Sequence, residues 1–558
     1  MFPKALREYE AVSPAEDVAS CSGIDVRRFS WIRPLAGEYA SNFASIAPLY
    51  SGDPASRDAW QGAITRAQQH RRNRDGIAAV VAAQQERRGA PPEARQAADL
   101  LRNPDSVAVV TGQQAGAFGG PLFTLLKAIT ALQLARRTAA EHRVPAVAIF
   151  WVDAEDHDWN EVRSSTILDT NLHPKTITLS DIEGAGRLPV ASLTLGGSVT
   201  QTIDELEHAL PQTDFTSWVV DSARKAWAPG IRMADAFARW LESLLGSQGL
   251  IVFESADPAA KPFVADLFAR ELQFPGRTSA LAASAGQQLG ARGHQPQVLP
   301  QADSVALFHL DGSRTPIRRQ GDAVLVGDQT FAPAVLAAAA VDHPERFSPN
   351  VLLRPIVQDS LFPTISYVAG PSELAYLGQL KGVYEHFGVP MPLMYPRASA
   401  TLIDSATRRF LARYSVPIEE LQPQDESALN RLLQSQLPAT VEQAIADGEI
   451  ALRRALERII EALPAVDPTL AGAGKTTLGK MEHDLRSLRN KVIQAAKKRD
   501  ETLRRQFARA QSLIFPLGHP QERTLGVVFF LNRYGPALVD RLLEELPLEM
   551  GQHWVVTV

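Results

Sequence analysis

The sequence predicts an α/β fold: a parallel-sheet core with insertions between its units and a late α-helical coiled-coil hairpin. Three observations carry this. Residues 107–110 and 146–152 are short continuous apolar runs, the pattern of strands buried on both faces. Between them Leu122, Leu125, Leu126, Ile129 and Leu132 repeat at helical spacing. Far downstream Ile445, Leu452 and Ile459 recur seven apart, as do Leu478, Leu485 and Val492, with charges filling the other positions.

The 558 residues exceed one simple core, so two or three structural units are expected. A net charge of −5 gives no support for nucleic-acid binding. Cys21 is the only cysteine, which excludes an internal disulfide and any multi-cysteine metal site, and leans weakly toward a reducing compartment. The first 30 residues carry Lys4, Arg7, Glu8, Glu10, Glu16 and Asp17 and no long apolar run, so no signal peptide is expected. No window holds 18 consecutive apolar residues, so no membrane span is expected and the chain reads as cytoplasmic.

Residues 1–104 read as a helical lead-in packed on the core, irregular as far as Trp31 and then helical over 42–50, 58–74, 77–88 and 92–101. The core spans 105–416, with insertions at about 160–345. It opens with the strand at 107–110, a loop holding four glycines in ten residues (111–120), and a helix with Pro121 at its first position. Arg136 and Arg137 near that helix's end suit its dipole. Strand-like runs follow at 166–180 and 188–195, then helices over 199–210, 214–226 and 233–245. A strand at 250–253 precedes a helix reaching Phe274, and 305–308, 316–318 and 323–326 form an antiparallel patch. Ser372 reads as a helix cap, 391–397 as extended and 400–414 as a helix. The coiled-coil arm covers 417–512, broken at 464–474; its second arm of about 35 residues would be about 50 Å long. The heptad slips near Arg499 and resumes at Leu503, Phe507 and Ala510. Residues 513–558 return to the core as a strand at 524–530, a helix over 535–546 and a strand at 554–558.

A strand–helix–strand crossover is right-handed with parallel strands, so both carboxyl ends open on one sheet edge, where such folds bind ligands. The loop with Gln113, Gln114, Gly116, Gly119 and Gly120 would offer backbone N–H groups and a positive helix end to an anion. Glu155, Asp156, His157 and Asp158 would face it and suit a cation, an amine or proton transfer. The bland readings are a tight strand-to-helix turn and an acidic helix start. Arg354, Asp359, Tyr367, Glu373 and Arg397 stand in apolar context; each alone reads as a structural pair, but together they suit a crevice, the arginines for carboxylates. No second ligand cluster points to a metal, so no metal site is assigned. The run Gly472-Ala-Gly-Lys-Thr476 lacks the earlier glycine of a phosphate loop, since that position is Thr469, and reads as the hairpin connector. The basic runs at 71–74 and 497–499 read as solvated helix faces.

Longer motifs go further. Thr111-Gly-Gln-Gln-Ala-Gly followed by Phe-Gly-Gly-Pro121, Phe150-Trp151 with Glu155-Asp-His-Asp158, Arg354-Pro with Gln358-Asp359, Tyr367-Val-Ala-Gly-Pro-Ser-Glu-Leu374 and Pro396-Arg-Ala-Ser-Ala-Thr401 resemble the cysteine-adding enzymes of bacillithiol biosynthesis, the BshC cysteine ligases. The resemblance runs over nearly the whole chain. It implies a Rossmann-like core with connecting-peptide insertions and a coiled-coil arm that pairs two subunits as a homodimer. It implies ligation of L-cysteine to the amine of glucosaminyl-malate, the last step of that pathway. The insertions are similar to those of class I synthetases, although the His-x-Gly-His and Lys-Met-Ser-Lys-Ser loops of that class are missing here. Amide formation needs an activated carboxyl, so ATP or another nucleotide is expected. Gln113, Gln114 and the N–H groups before Pro121 would then hold a phosphate or oxyanion, and Asp156 or Asp158 the amine. His157 would move a proton, and Arg354 and Arg397 would grip the malate carboxylates. Two other readings use the same features: a nucleotide- or sugar-phosphate-binding transferase, and a non-catalytic coiled-coil scaffold.

Overall fold

The computed structural model describes residues 21–436, 439–499 and 501–558. The readings at residues 1–20 and of the side chains at 497–499 lie outside the described ones. At the centre are β1 (Val107–Gln114), β2 (Ala146–Asp153), β3 (Leu250–Glu254), β4 (Thr364–Ala369) and β5 (Leu393–Pro396). They lie in the order β5-β4-β1-β2-β3, with every neighbouring pair parallel. The chain winds outward from β1 through β2 to β3, then returns to the other side of β1 for β4 and β5. The reversal between β1 and β4 is a topological switch point, where the connections leave the sheet on opposite sides and open a crevice.

Alternation explains the two-sided burial. Val107 and Val109 of β1 enter one apolar cluster, Ala108 and Val110 the other. Helix α1 (Leu122–His142) buries Leu122, Leu125, Leu126 and Ile129 in the first cluster. On the opposite face the helix Arg74–Arg88, capped by Asn73, packs Ile77, Ala78 and Val81. The antiparallel patch is a five-stranded sheet, with Ser304–Leu310, Arg314–Gln320 and Ala323–Val326 among its strands.

Several elements differ from expectation. The strand β4 lies within 348–373, where no strand was read, although Thr364, Ile365, Tyr367 and Val368 are β-formers set just before Gly370 and Pro371. The Ser372 side chain caps nothing; the Glu373 carboxylate instead accepts the Gly370 N–H at 2.6 Å. Pro121 is the N-cap of α1 rather than its first residue. Residues 188–195 hold the 3₁₀ turn Val190–Ser192 and one antiparallel bridge, Thr194 to Arg232, rather than a strand. The expected helix at 400–414 divides into the strand Ser399–Ile403 and the helix Ser405–Tyr414, because Asp404 accepts the Thr407 N–H and starts the helix there. Within 524–530 only Leu525 and Gly526 are extended, each in an isolated bridge; Val527–Tyr534 is a helix whose Val527, Val528, Phe529, Phe530 and Leu531 are all buried. A segment buried all round loses the period that separates helix from strand.

The arm consists of α2 (Ala439–Ala462) and α3 (Leu470–Arg499), followed by α4 (Glu501–Ile514). Gly472 to Thr476 lie inside α3, where Thr476 donates back to the Gly472 carbonyl, so they are neither a phosphate loop nor the connector. The final strand, Gln552–Thr557, pairs parallel with Ser399–Ile403 and antiparallel with Cys21–Asp25. No helix among the described residues is long and apolar enough to cross a membrane.

Candidate active site

A cavity of about 390 Å³ opens at the carboxyl edge of the sheet, on the switch point. β1 ends there with Gln113 and Gln114, β2 with Asp153, and β4 brings Tyr367 and then Gly370 and Glu373. Arg397 follows β5 directly, its N–H held by the Ala369 carbonyl at 2.8 Å.

Ion pairs organise the walls. Lys127, one turn into α1, places Nζ 2.5 Å from the Glu373 carboxylate and donates to the Gly112 carbonyl at 2.8 Å. Tyr367 and Tyr376 donate their hydroxyls to the same carboxylate at 3.2 and 3.3 Å. Burial alone would raise Glu373, but Lys127 holds it below the usual carboxylate range. Arg354 lies 3.5 Å from Asp153 and bonds the Tyr376 hydroxyl at 3.2 Å. Burial pushes Asp153 up against the opposing pull of Arg354. Arg314, from the antiparallel sheet, reaches Asp156 at 3.1 Å and stacks on Phe308 at 3.7 Å. Gln114 donates to the other Asp156 oxygen at 3.3 Å. Glu161 completes this wall, pushed up by burial while Gln114 draws it down.

Of the expected residues, Gln113, Gln114, Asp156, Arg354, Tyr367, Glu373 and Arg397 line this one cavity. The others stand apart. Glu155 turns behind the wall into a buried pair with Lys261 at 2.7 Å. Asp158 accepts the Glu161 N–H and starts the short helix Trp159–Val162. His157 is 44% exposed, with Nδ1 3.2 Å from Asp156 but not aligned for a hydrogen bond. Asp359 is buried against the Tyr384 hydroxyl at 2.5 Å, and burial pushes it up to about 6.

The glycine loop is a packing device. Gly119 has φ +92°, and a Cβ there would stand 2.6 Å from Trp240 Nε1. A Cβ on Gly116 would meet Gly120 Cα at 2.9 Å. The N–H groups of Gly116, Gly119 and Gly120 donate to the carbonyls of Gln114, Gly116 and Ala117. Those three donors are therefore spent within the turn and make no cradle for a phosphate, contrary to expectation. Arg397 is similarly committed: it forms a bidentate pair with Glu522 at 2.6 and 2.9 Å, both side chains 2% exposed.

Sequence reasoning missed Lys127, Asp153, Glu161, Arg314 and Arg523. Lys127 had a readable signal, a lone cation on the apolar face between Leu126 and Ala128. Arg314 and Arg523 arrive from distant segments with no local motif. Among the described residues no group of three or more side chains is placed to hold a metal ion.

Two family models match the chain in succession. Residues 21–398 match the bacillithiol biosynthesis BshC N-terminal Rossmann-like domain, and residues 400–558 the BshC C-terminal coiled-coil domain. A Salinibacter ruber protein named "Putative cysteine ligase BshC" is 36% identical over 93% of this chain and 95% of its own length. Proteins of the same name from Chlorobaculum tepidum and Symbiobacterium thermophilum are each 32% identical, over 85% and 92% of this chain and 86% and 95% of theirs.

Proposed function

The chain belongs to the BshC family of bacillithiol biosynthesis, and on that premise we propose that it is a cysteine ligase, joining the L-cysteine carboxyl to the amine of glucosaminyl-malate in the last step of that pathway. The observation that carries the reading is the charged cavity at the switch point of a chain that matches the family along both of its domains. One reactant brings an amine and carboxylates, the other a carboxyl and an ammonium, and a cavity walled by both carboxylates and guanidinium groups suits such a pair.

An amine attacks a carboxyl only when the amine is unprotonated and the carboxyl is activated. ATP or another nucleotide supplies the activation. Asp156, fixed between Gln114 and Arg314, and Glu161, whose burial raises its proton affinity, are the carboxylates that orient the amine and take its proton. His157, with Nδ1 3.2 Å from Asp156, is the neighbour that would pass that proton outward once its ring turns into line. Gln113, whose side-chain oxygen is held by Lys127, presents its amide N–H groups to the oxygen that gains charge as the amine adds. The reading includes a cytoplasmic homodimer joined through the arm. Ile459, Met481 and Leu488 support that pairing, since they stay 52%, 44% and 53% exposed on the single chain.

The deciding experiment is a thiol and precursor profile of the source cell with this gene deleted and then restored. Loss of bacillithiol with build-up of glucosaminyl-malate, reversed on restoration, is expected. Normal bacillithiol in the deletion strain, with no other copy of the family present, would overturn the assignment.

A further inference from the structure

Five cations and four carboxylates line the cavity. Four of the cations are committed: Lys127 to Glu373, Arg314 to Asp156, Arg354 to Asp153, and Arg397 to Glu522 behind the wall. The fifth, Arg523, makes no ion pair and no side-chain hydrogen bond among the described residues. It comes from the short helix Gln521–Thr524, in the region that matches the coiled-coil domain. Its guanidinium lies 5.8 Å from the centroid of the Phe123 ring, which also carries Arg397 at 5.4 Å. Desolvation in the cavity and the neighbouring Arg397 charge press Arg523 below its ordinary range against the pull of Glu522 and Glu373, while the residue as a whole stays open to solvent.

We propose that Arg523 is the residue that recognises a substrate carboxylate in this cavity, so that the C-terminal region supplies a specificity-determining side chain to the α/β core. The identity of the substrate rests on the ligase reading; the carboxylate preference rests on the geometry. A planar guanidinium beside an aromatic ring can present its fork to a carboxylate in two parallel hydrogen bonds, which a lysine cannot reproduce. Arg397, the residue expected for this task, already spends its fork on Glu522. In the condensation the cysteine carboxyl reacts, whereas the malyl carboxylates persist from reactants to product. A persistent anion is the one that profits from a fixed cation. The malyl group is therefore the first candidate, and the cysteine carboxylate the second source of the same chemistry.

The test titrates L-malate, L-cysteine and inorganic phosphate into the full-length protein and its Arg523→Gln and Arg523→Lys variants by calorimetry, with unfolding midpoints confirming that each variant is folded. Arg523→Gln should weaken malate at least tenfold and Arg523→Lys by a smaller factor, with phosphate unchanged. Weakening of cysteine instead would assign the same role to the other carboxylate. Equal affinities in all three proteins, weakening of phosphate alone, or no binding of either carboxylate to the unaltered protein would overturn the proposal. Binding is read without turnover, so this result stands apart from the thiol profile. An unchanged profile with Arg523-dependent malate binding would remove the ligase and leave the carboxylate site.

Discussion

Lys127 Nζ and the Glu373 carboxylate lie 2.5 Å apart at the inner end of the cavity, the lysine 3% exposed. The pair ties α1 to the turn after β4, across the switch point. Breaking one side of a buried pair leaves an uncompensated charge, which costs about 3–5 kcal/mol. Lys127→Met should therefore lose about that much stability at pH 7 in urea unfolding. Without Lys127 the burial of Glu373 is opposed only by the Gly370 N–H, the tyrosine hydroxyls and Arg354, so its proton affinity climbs, and part of the loss should return by pH 5. Adding Glu373→Gln should restore most of it. A fully additive double variant would refute the coupling.

Asp156 and His157 are adjacent in sequence but differ in place. Asp156 lines the cavity between Gln114 and Arg314, while His157 is 44% exposed beside it. A positioned proton acceptor contributes about 10²–10⁴-fold. Asp156→Asn should lower the rate of cysteine condensation at least 100-fold, and His157→Ala by tenfold or less, with both folds intact. The reverse order would hand the proton to His157.

The crossover is legible in the sequence because β1, α1 and β2 follow one another with clean periods and a glycine turn, which places Gln113, Gln114 and Asp156 on one edge. Arg354, Tyr367 and Glu373 are legible as polar residues that apolar surroundings would otherwise exclude. What escapes is set by distance and by saturation. Arg314 and Arg523 reach the cavity from segments whose local pattern says nothing of it. Glu155 sits in the same acidic run as Asp156, but its side chain leaves toward Lys261, a partner 106 residues away. The Val527–Tyr534 helix is apolar on every side, so its composition suits a buried strand equally well. The glycine loop shows that such a run can serve close packing against Trp240 rather than a ligand.

Glu522 joins the C-terminal region to the core through its bidentate pair with Arg397 and through hydrogen bonds from the Ser399 hydroxyl at 3.0 Å and the Ala400 N–H at 2.9 Å. Glu522→Gln keeps the shape and removes the charge, leaving Arg397 buried without a full counterion. A loss of about 3 kcal/mol is expected. The freed Arg397 should also take up an anion, so added L-malate should raise the unfolding midpoint of the variant more than that of the unaltered protein. Equal shifts would show that Arg397 does not face the cavity solvent once released.

His553 sets the pH range in which the C-terminal sheet holds. Its ring is buried between the Ser399 and Thr401 hydroxyls, at 2.7 and 2.8 Å, and burial pushes it down from 6.5 to about 4. The folded chain thus keeps a neutral imidazole where the unfolded chain takes a proton. This contribution is fully present above pH 6.5 and is lost as pH falls toward 4, at most about 3 kcal/mol for a shift of that size. Asp404 acts lower. Burial would raise it, but the Thr407 N–H, Arg509 and Arg533 hold it at about 2, so its share is lost only between pH 4 and 2. Burial pushes Asp359 up to about 6 and Glu271 up to about 7, so these carboxylates gain stability as pH falls and oppose His553 over the same window. The His553 share is therefore read in urea unfolding from pH 7.5 to 4.5 as the difference between the unaltered protein and His553→Gln. His553→Gln should lose less stability, or gain more, across that window than the unaltered protein, with the decline below pH 4 left in place. An unchanged slope in His553→Gln would move the effect to another histidine and remove His553 from the account.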